Sequence, residues 1–234
     1  MSCQLSVILP TYNECDHIAE LLTSICRSLK TVTTSFEVIV VDDDSPDGTA
    51  EKAAQVGESQ VQVLVRHGER GLAGAVRYGI ERSTGDALLI MDADFNHCPE
   101  DMPRLLAALD TAEVVVGSRY VRGGGMHGPR WRYWSSWLLN MWIGLWAGSR
   151  IRDNTSGFFC IKQSILRNLD YDLVFIGYGD YCMRLLHECQ RHGWRIAEVP
   201  VVYSTRKSGI SKTRFLKYSW QYLRTVQQLR ERSH

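Results

Sequence analysis

The sequence predicts an α/β fold: a parallel sheet with helices on both faces. Three observations predict it. Short apolar runs alternate with helix-period segments four times in the first 118 residues. Runs so continuously apolar belong to strands buried on both faces. Dense polar clusters follow three of those runs, where such sheets bind ligands. Taken in order, Leu5 to Pro10 reads as a buried strand entering the loop Thr11-Tyr-Asn-Glu14. Ile18, Leu21, Leu22, Ile25 and Leu29 then recur at helical spacing. Phe36 to Val41 is a second strand, stopped by the turn formers of residues 42–48, and a helix follows from Thr49. Val61 to Val65 is a third strand, and Gly71 to Arg82 a helix opened by glycines. Ala87 to Met91 is a fourth strand, ending at Asp92-Ala-Asp94. Pro103 to Leu109 is helical, and Glu113 to Gly117 is a fifth strand. Beyond it, helices are expected over residues 131–148, 181–192 and 215–232, with a short strand near residues 196–202.

A chain of 234 residues suits one large domain. Its 44% hydrophobic and 23% charged residues exclude a disordered chain, a fibrous repeat and a multi-span membrane protein. Net charge is +1, which argues against bulk nucleic-acid binding. The distribution is less even. Residues 114–152 carry six arginines and no acid, and from Arg206 onward eight basic residues face Glu231 alone. Acidic groups early and basic groups late fit a held cation and an anionic partner. Seven cysteines without a C-x-x-C pair point to reduced thiols. The N-terminus shows no signal-peptide pattern.

Asp92 and Asp94 leave a strand end two residues apart, a spacing at which both carboxylates reach one Mg2+ or Mn2+. The alternative is a solvated turn. In Asp42-Asp-Asp-Ser-Pro-Asp-Gly48, a carboxylate at the strand end suits a ribose hydroxyl or base N–H. Adjacent like charges offer little to a purely structural loop, although Asp47-Gly48 also suits a turn corner. Gly71-Leu-Ala-Gly-Ala lacks the spacing of a phosphate-binding loop and reads as close packing at a helix start.

Val7-Ile-Leu-Pro-Thr-Tyr-Asn-Glu14, Val41-Asp-Asp-Asp-Ser-Pro-Asp-Gly-Thr49, Met91-Asp-Ala-Asp-Phe-Asn-His-Cys-Pro-Glu100 and Gly117-Ser-Arg-Tyr120 occur in that order. Together they resemble the family-two inverting glycosyltransferases of GT-A fold. With Arg206-Lys-Ser-Gly-Ile-Ser-Lys212, the set is similar to the dolichol-phosphate and polyprenyl-phosphate mannosyltransferase subfamily. The resemblance implies a Rossmann-like, mixed but mostly parallel sheet over residues 1–214. Residues 1–118 would take the nucleotide sugar and 119–214 the acceptor, and 215–234 would form a basic amphipathic extension. It implies that Pro10, Tyr12, Glu14, Val41 and Asp43 line the nucleoside pocket. Asp92, Ala93 and Asp94 would hold metal and diphosphate, with Asn96 as a further oxygen ligand. Arg119, Arg206 and Lys212 would bind the donor diphosphate and acceptor phosphate. The chemistry agrees: a departing nucleoside diphosphate gathers negative charge that a divalent cation and guanidinium groups absorb.

The implied reaction moves a hexose, mannose from GDP-mannose, onto dolichyl or polyprenyl phosphate with inversion, on the cytoplasmic face of a membrane. That membrane would be the endoplasmic reticulum in a eukaryote and the plasma membrane in a prokaryote. One departure from the subfamily stands at Gly177-Tyr-Gly-Asp-Tyr-Cys-Met-Arg184, where relatives carry a Gln-x-Glu-Met pattern. Asp180 reads either as the base for a hydroxyl acceptor or as the cap of the following helix. Trp134, Trp137, Leu138, Met141, Trp142, Leu145 and Trp146 share a helical face. It reads as an interfacial helix able to receive a prenyl tail, or as a core or oligomer face. No segment is expected to cross a membrane, so attachment would be peripheral or through an anchoring partner subunit. A family-two enzyme with a sugar or protein hydroxyl acceptor, a non-catalytic nucleotide-sugar-binding subunit and a dinucleotide-dependent oxidoreductase are the alternatives. The missing glycine fingerprint speaks against the last.

Overall fold

A computed structural model describes residues 4–204 and 215–232, with side chains from 4 to 204 and from 221 to 232. The apolar runs form β1 (Leu5–Thr11), β2 (Phe36–Asp42), β3 (Val61–Val65), β4 (Ala87–Ile90) and β5 (Val114–Ser118). Between them lie α1 (Ile18–Lys30), α2 (Thr49–Ala54), α3 (Leu72–Ile80) and α4 (Met102–Ala108). The second half adds β6 (Gly125–Met126), α5 (Arg130–Ala147), β7 (Phe159–Lys162), α6 (Gln163–Leu166) and α7 (Tyr171–Val174). It closes with α8 (Tyr181–Arg191), β8 (Ile196–Pro200), β9 (Val202–Tyr203) and α9 (Phe215–Arg232).

Seven strands form one sheet in the order β3-β2-β1-β4-β7-β5-β8. β7 runs antiparallel to both its neighbours, with Cys160 opposite Leu89 on one side and Val115 on the other. The sheet is therefore mixed, as the resemblance implies. The chain winds outward from β1 to β3, then returns to place β4 on the other side of β1. That reversal opens a crevice above the ends of β1 and β4.

Alternation along each strand divides the core. Leu5, Val7 and Leu9 face α1 and α4, packing on Leu21, Ile25 and Leu105. Ile8, Ile39 and Val41 face α3, and Val114 and Val116 lie in the same layer as Leu185 and Leu186 of α8. Close packing of α3 on the sheet comes at its end rather than at its glycine-rich start, where Gly71 has open space beside it and Gly74 makes room for the Arg66 guanidinium. A Cβ at Gly79 would stand 2.6 Å from Ile8 Cγ2 and 3.1 Å from Val41 Cγ2. Gly79→Ala is expected to destabilise by about 1–3 kcal/mol, outweighing the about 1 kcal/mol of helix propensity gained. A fall in the urea midpoint at constant slope checks this.

The tryptophan-bearing helix divides its apolar residues. Ile143 and Ala147 are buried against Val226 and Leu229 of α9 and Met183 of α8, with Leu139 and Trp142 packed beside them. Trp131, Trp134, Leu138, Met141 and Leu145 remain exposed in a continuous stripe. Part of the predicted face thus packs inside the protein and part meets solvent. Among the described residues no helix is long and apolar enough to cross a membrane, and the six described cysteines are free thiols.

Candidate functional site

The crevice holds a cavity of about 480 Å³. Its walls come from the ends of β1, β2 and β4, the start of α3, the loop before β7, and residues around the start of α8. Pro10, Tyr12, Glu14 and Asp43 line it, as do Asp92, Ala93 and Asp94.

Loop chemistry aims these groups. Asn13 turns the chain with φ 56°, and its N–H donates to Ser45 Oγ at 3.0 Å. The Glu14 N–H donates to Thr49 Oγ1 and the Cys15 N–H to Asp47 Oδ2. Asp47 is partly buried, which opposes ionisation. Hydrogen bonds from Thr49 and Cys15 more than offset this and hold its carboxyl below the usual range. Glu14 meets His17 Nε2 at 2.9 Å, and the same nitrogen lies 3.0 Å from the Ala93 carbonyl. His17 therefore ties the β1 loop to the Asp92–Asp94 segment.

The three consecutive aspartates separate. Asp42 is buried and accepts from Thr11 Oγ1 and from the N–H and Oγ of Ser45, so it is a turn staple. Asp43 faces the cavity while accepting from Arg66 Nε and the Gly71 N–H, both at 2.8 Å. Asp44 lies outside with His67. The expectation that an aspartate run offers a structural loop little thus fails for Asp42: three donors compensate its charge. Val41 is expected in the nucleoside pocket; its side chain is buried in the core, and its carbonyl lies 3.4 Å from Thr11 Oγ1 at the end of β1.

At the end of β4, Asp94 Oδ1 accepts from the Asn96 N–H and Oδ2 from Asn96 Nδ2, at 3.1 and 2.8 Å, with Phe95 at φ 61° between them. Asn96 thus donates to both oxygens of the Asp94 carboxylate and positions it. A Cβ at Gly157 would come within 3.4 Å of both Asp92 oxygens, so the glycine keeps that side open. Among the described residues no group of three His, Cys, Asp or Glu side chains could hold a metal ion. Two carboxylates on one cavity wall fit a cation that takes its remaining oxygens from a substrate diphosphate, the mode usual for Mg2+.

Arg119 stands behind this wall rather than in it. Its N–H and Nε both meet Asp153 Oδ2, and Nη2 meets Asp153 Oδ1 at 2.7 Å and Thr155 Oγ1 at 2.9 Å. Arg119 and Asp153 are buried. Burial opposes the charge, but Asp153 holds the guanidinium firmly protonated. A buried arginine needs such a partner, and so this one anchors the loop that carries Thr155 and Gly157 into the cavity. Arg206 and Lys212 lie outside the described residues.

Asp180 is 1% exposed. It precedes α8, but its side chain makes no capping bond to that helix. It accepts from the Tyr178 N–H at 2.8 Å, Gln221 Nε2 at 2.8 Å and Thr225 Oγ1 at 2.9 Å, and faces Arg184 Nε at 3.4 Å. Arg184 in turn donates to Thr225 and Gln228. The pair clamps α9 to α8, and Tyr222 of α9 lines the cavity. The capping expectation is corrected: beside the local Tyr178 and Arg184, Gln221 and Thr225 come from a helix about forty residues away, beyond the reach of local reading.

Sequence reasoning missed Arg70, Thr155, Tyr178 and Tyr222, all of which line the cavity. Arg70 contributes the one cationic side chain of the lining among the described residues; its guanidinium lies 3.7 Å over the Tyr12 ring and bonds the Tyr12 hydroxyl. Its place directly before Gly71 was the available signal.

A family model described as Glycosyl transferase family 2 matches residues 6–170. A dolichol-phosphate mannosyltransferase of Pyrococcus furiosus is 34% identical over 97% of this chain. The chain spans 63% of that relative's length. An undecaprenyl-phosphate mannosyltransferase of Micrococcus luteus is 38% identical, covering 88% of this chain and 85% of its own. A polyprenol monophosphomannose synthase of Mycolicibacterium smegmatis is 33% identical, with coverage of 88% and 79%. Among solved structures, glucosyl-3-phosphoglycerate synthase from Mycobacterium tuberculosis, in complex with Mn2+ and UDP-glucose, shares the fold. Its TM-score is 0.73 at 22% identity, over 97% of this chain and 79% of that one.

Proposed function

The chain belongs to glycosyl transferase family 2, and on that premise we propose that it transfers mannose from GDP-mannose to a polyprenyl or dolichyl phosphate, with inversion. The observation that carries this reading is one cavity shared by Asp92, Asp94, Asp43, Tyr12 and Arg70 at the strand reversal. Asp43 and Tyr12 hold the nucleoside, and Arg70 meets the donor's phosphates. Asp92 and Asp94 hold a Mg2+ or Mn2+ ion, which when bound absorbs charge building on the departing diphosphate. Asn96 fixes the rotamer of Asp94. Arg119 and Asp153 fix the opposite wall, and Arg206 and Lys212 meet the acceptor phosphate or the diphosphate. Residues 1–118 serve the donor and 119–214 the acceptor, with 215–234 as an extension.

A phosphate monoester acceptor is largely ionised near neutral pH, its second pKa being about 6. It attacks the anomeric carbon without a protein base, forming the new C–O bond as the bond to the nucleoside diphosphate breaks. The burial of Asp180 supports such an acceptor, since both its oxygens already receive protein donors. The exposed stripe of α5 supports a peripheral position on the cytoplasmic face of a membrane, alone or with an anchoring partner subunit.

A thermal-shift series of nucleotide sugars with and without Mn2+ or Mg2+ tests the donor. GDP-mannose with metal is expected to raise the melting temperature, by the equivalent of about 2.7 kcal/mol at a hundredfold excess over Kd. Chelation should remove the shift. Stabilisation that survives chelation would overturn the metal role. Offering polyprenyl phosphate and soluble sugars in parallel tests the acceptor; transfer to a sugar hydroxyl would favour the hydroxyl-acceptor reading. Arg70→Ala is expected to raise the donor KM about tenfold, the loss of one charged hydrogen bond, with kcat little changed.

A further inference from the structure

A second cavity, of about 930 Å³, opens at the C-terminal end of α5 and shares no lining residue with the crevice. Trp146 borders it from α5, Arg150 from the turn that follows, Arg191 from α8, Arg195 from the residue before β8 and Arg230 from α9. Four guanidiniums line it, those of Arg150, Arg191, Arg195 and Arg230, and a fifth, Arg232, stands beside Glu188. Three carboxylates are near. Glu188 faces Arg191 and Arg232, Glu113 faces Arg195, and Glu198 accepts the N–H groups of Arg152 and Asp153. His187 adds no charge, since burial pushes its pKa down. Arg230 lies 4.4 Å over the Trp146 ring. Five guanidiniums against three carboxylates leave a positive concave surface.

This basic cavity is continuous with the apolar stripe of α5. Leu145, 80% exposed, and Trp146, 47% exposed, belong to the cavity wall as well as to the exposed face. Arg130 and Arg132 stand at the other end of the helix. An apolar ridge with arginines at both ends matches a bilayer surface, where Trp and Leu enter the acyl boundary and guanidiniums meet phosphates. A soluble anion would use the cavity and leave the ridge in water. A second copy of the chain would bring the same basic rim against itself.

We propose that this cavity is a headgroup site for acidic phospholipids, engaged when α5 lies along a membrane. It shares with the proposed function only the peripheral membrane position, and binding is measured without donor or acceptor. Flotation of the full chain is compared on phosphatidylcholine vesicles and on vesicles that also contain phosphatidylglycerol. Preferential binding to the second is expected, weakening as salt rises. Arg150→Glu with Arg230→Glu should lower that partitioning about 25-fold or more, at about fivefold per arginine. Arg150→Gln, milder toward the fold, should lower it about fivefold, with an unchanged melting temperature as the folding control. Leu145→Ser should weaken binding to both vesicle types. Binding both vesicle types equally, or a double variant that partitions like the wild type, overturns the proposal. So does saturable stabilisation by inorganic phosphate without vesicle binding, or a dimer lost on Leu138→Ser. A protein that binds acidic vesicles and transfers no sugar keeps this proposal while losing the proposed function.

Discussion

Asp94→Ala is expected to abolish glycosyl transfer while the protein remains folded. Asp94 lies on the cavity wall at the end of a buried strand, and its carboxylate is held by the N–H and side-chain amide of Asn96. Removing it takes away one of two carboxylates for the cation. The charge of the departing diphosphate then loses its main counterweight. Loss of a single electrostatic group of this kind typically costs about 10²–10³-fold in rate, and loss of the metal as well takes activity below detection. The cost to folding is small, because the partners left behind at Asn96 lie near an open cavity that water reaches. The check is a paired measurement of transfer rate and of donor stabilisation in Mn2+. Wild-type activity in the folded variant would refute the metal role.

Asp180→Ala is expected to destabilise the protein by about 3–5 kcal/mol, the cost of leaving a buried charge without its partner. Arg184 is 9% exposed, and without Asp180 its guanidinium keeps only neutral acceptors on Thr225 and Gln228. Thr225 and Gln221 lose their acceptor at the same time. α9 then loosens from α8, and Tyr222 leaves the cavity wall. Urea unfolding measures the first effect. Asp180→Asn separates the two readings of this residue. A clamp residue replaced by Asn keeps shape and an acceptor, so activity should follow the folded fraction and the pH–rate profile should not change. A general base replaced by Asn would lose about 10²–10⁴-fold in rate, together with the acidic limb of that profile.

The first five strands were legible because each is a short apolar run bounded by turn residues. The clusters at their ends were legible for the same reason: the end of a buried strand is readable once the strand is. β7 was not. Phe159-Cys-Ile-Lys162 has four residues and no distinctive boundary, and it is a strand only because β4 and β5 stand on either side to pair with it. Arg119 was read from its motif as a phosphate ligand, and a motif does not say that Asp153 is buried 2.7 Å away. Asp180 shows the same limit: it was recognised as polar and well placed, and the donors of Gln221 and Thr225 reach it from α9.

By itself the sequence determined the alternating architecture, the family and the acidic groups of the crevice, since these depend on periodicity and on residues close together in the chain. Tertiary structure alone decided which aspartate faces the cavity, which arginine is occupied by an internal partner, and which side of the tryptophan helix stays in solvent. The physical reason is desolvation. A charge taken out of water must find a counter-charge or a set of donors, and at Arg119, Asp180 and Asp43 those partners arrive from distant segments that only folding brings near.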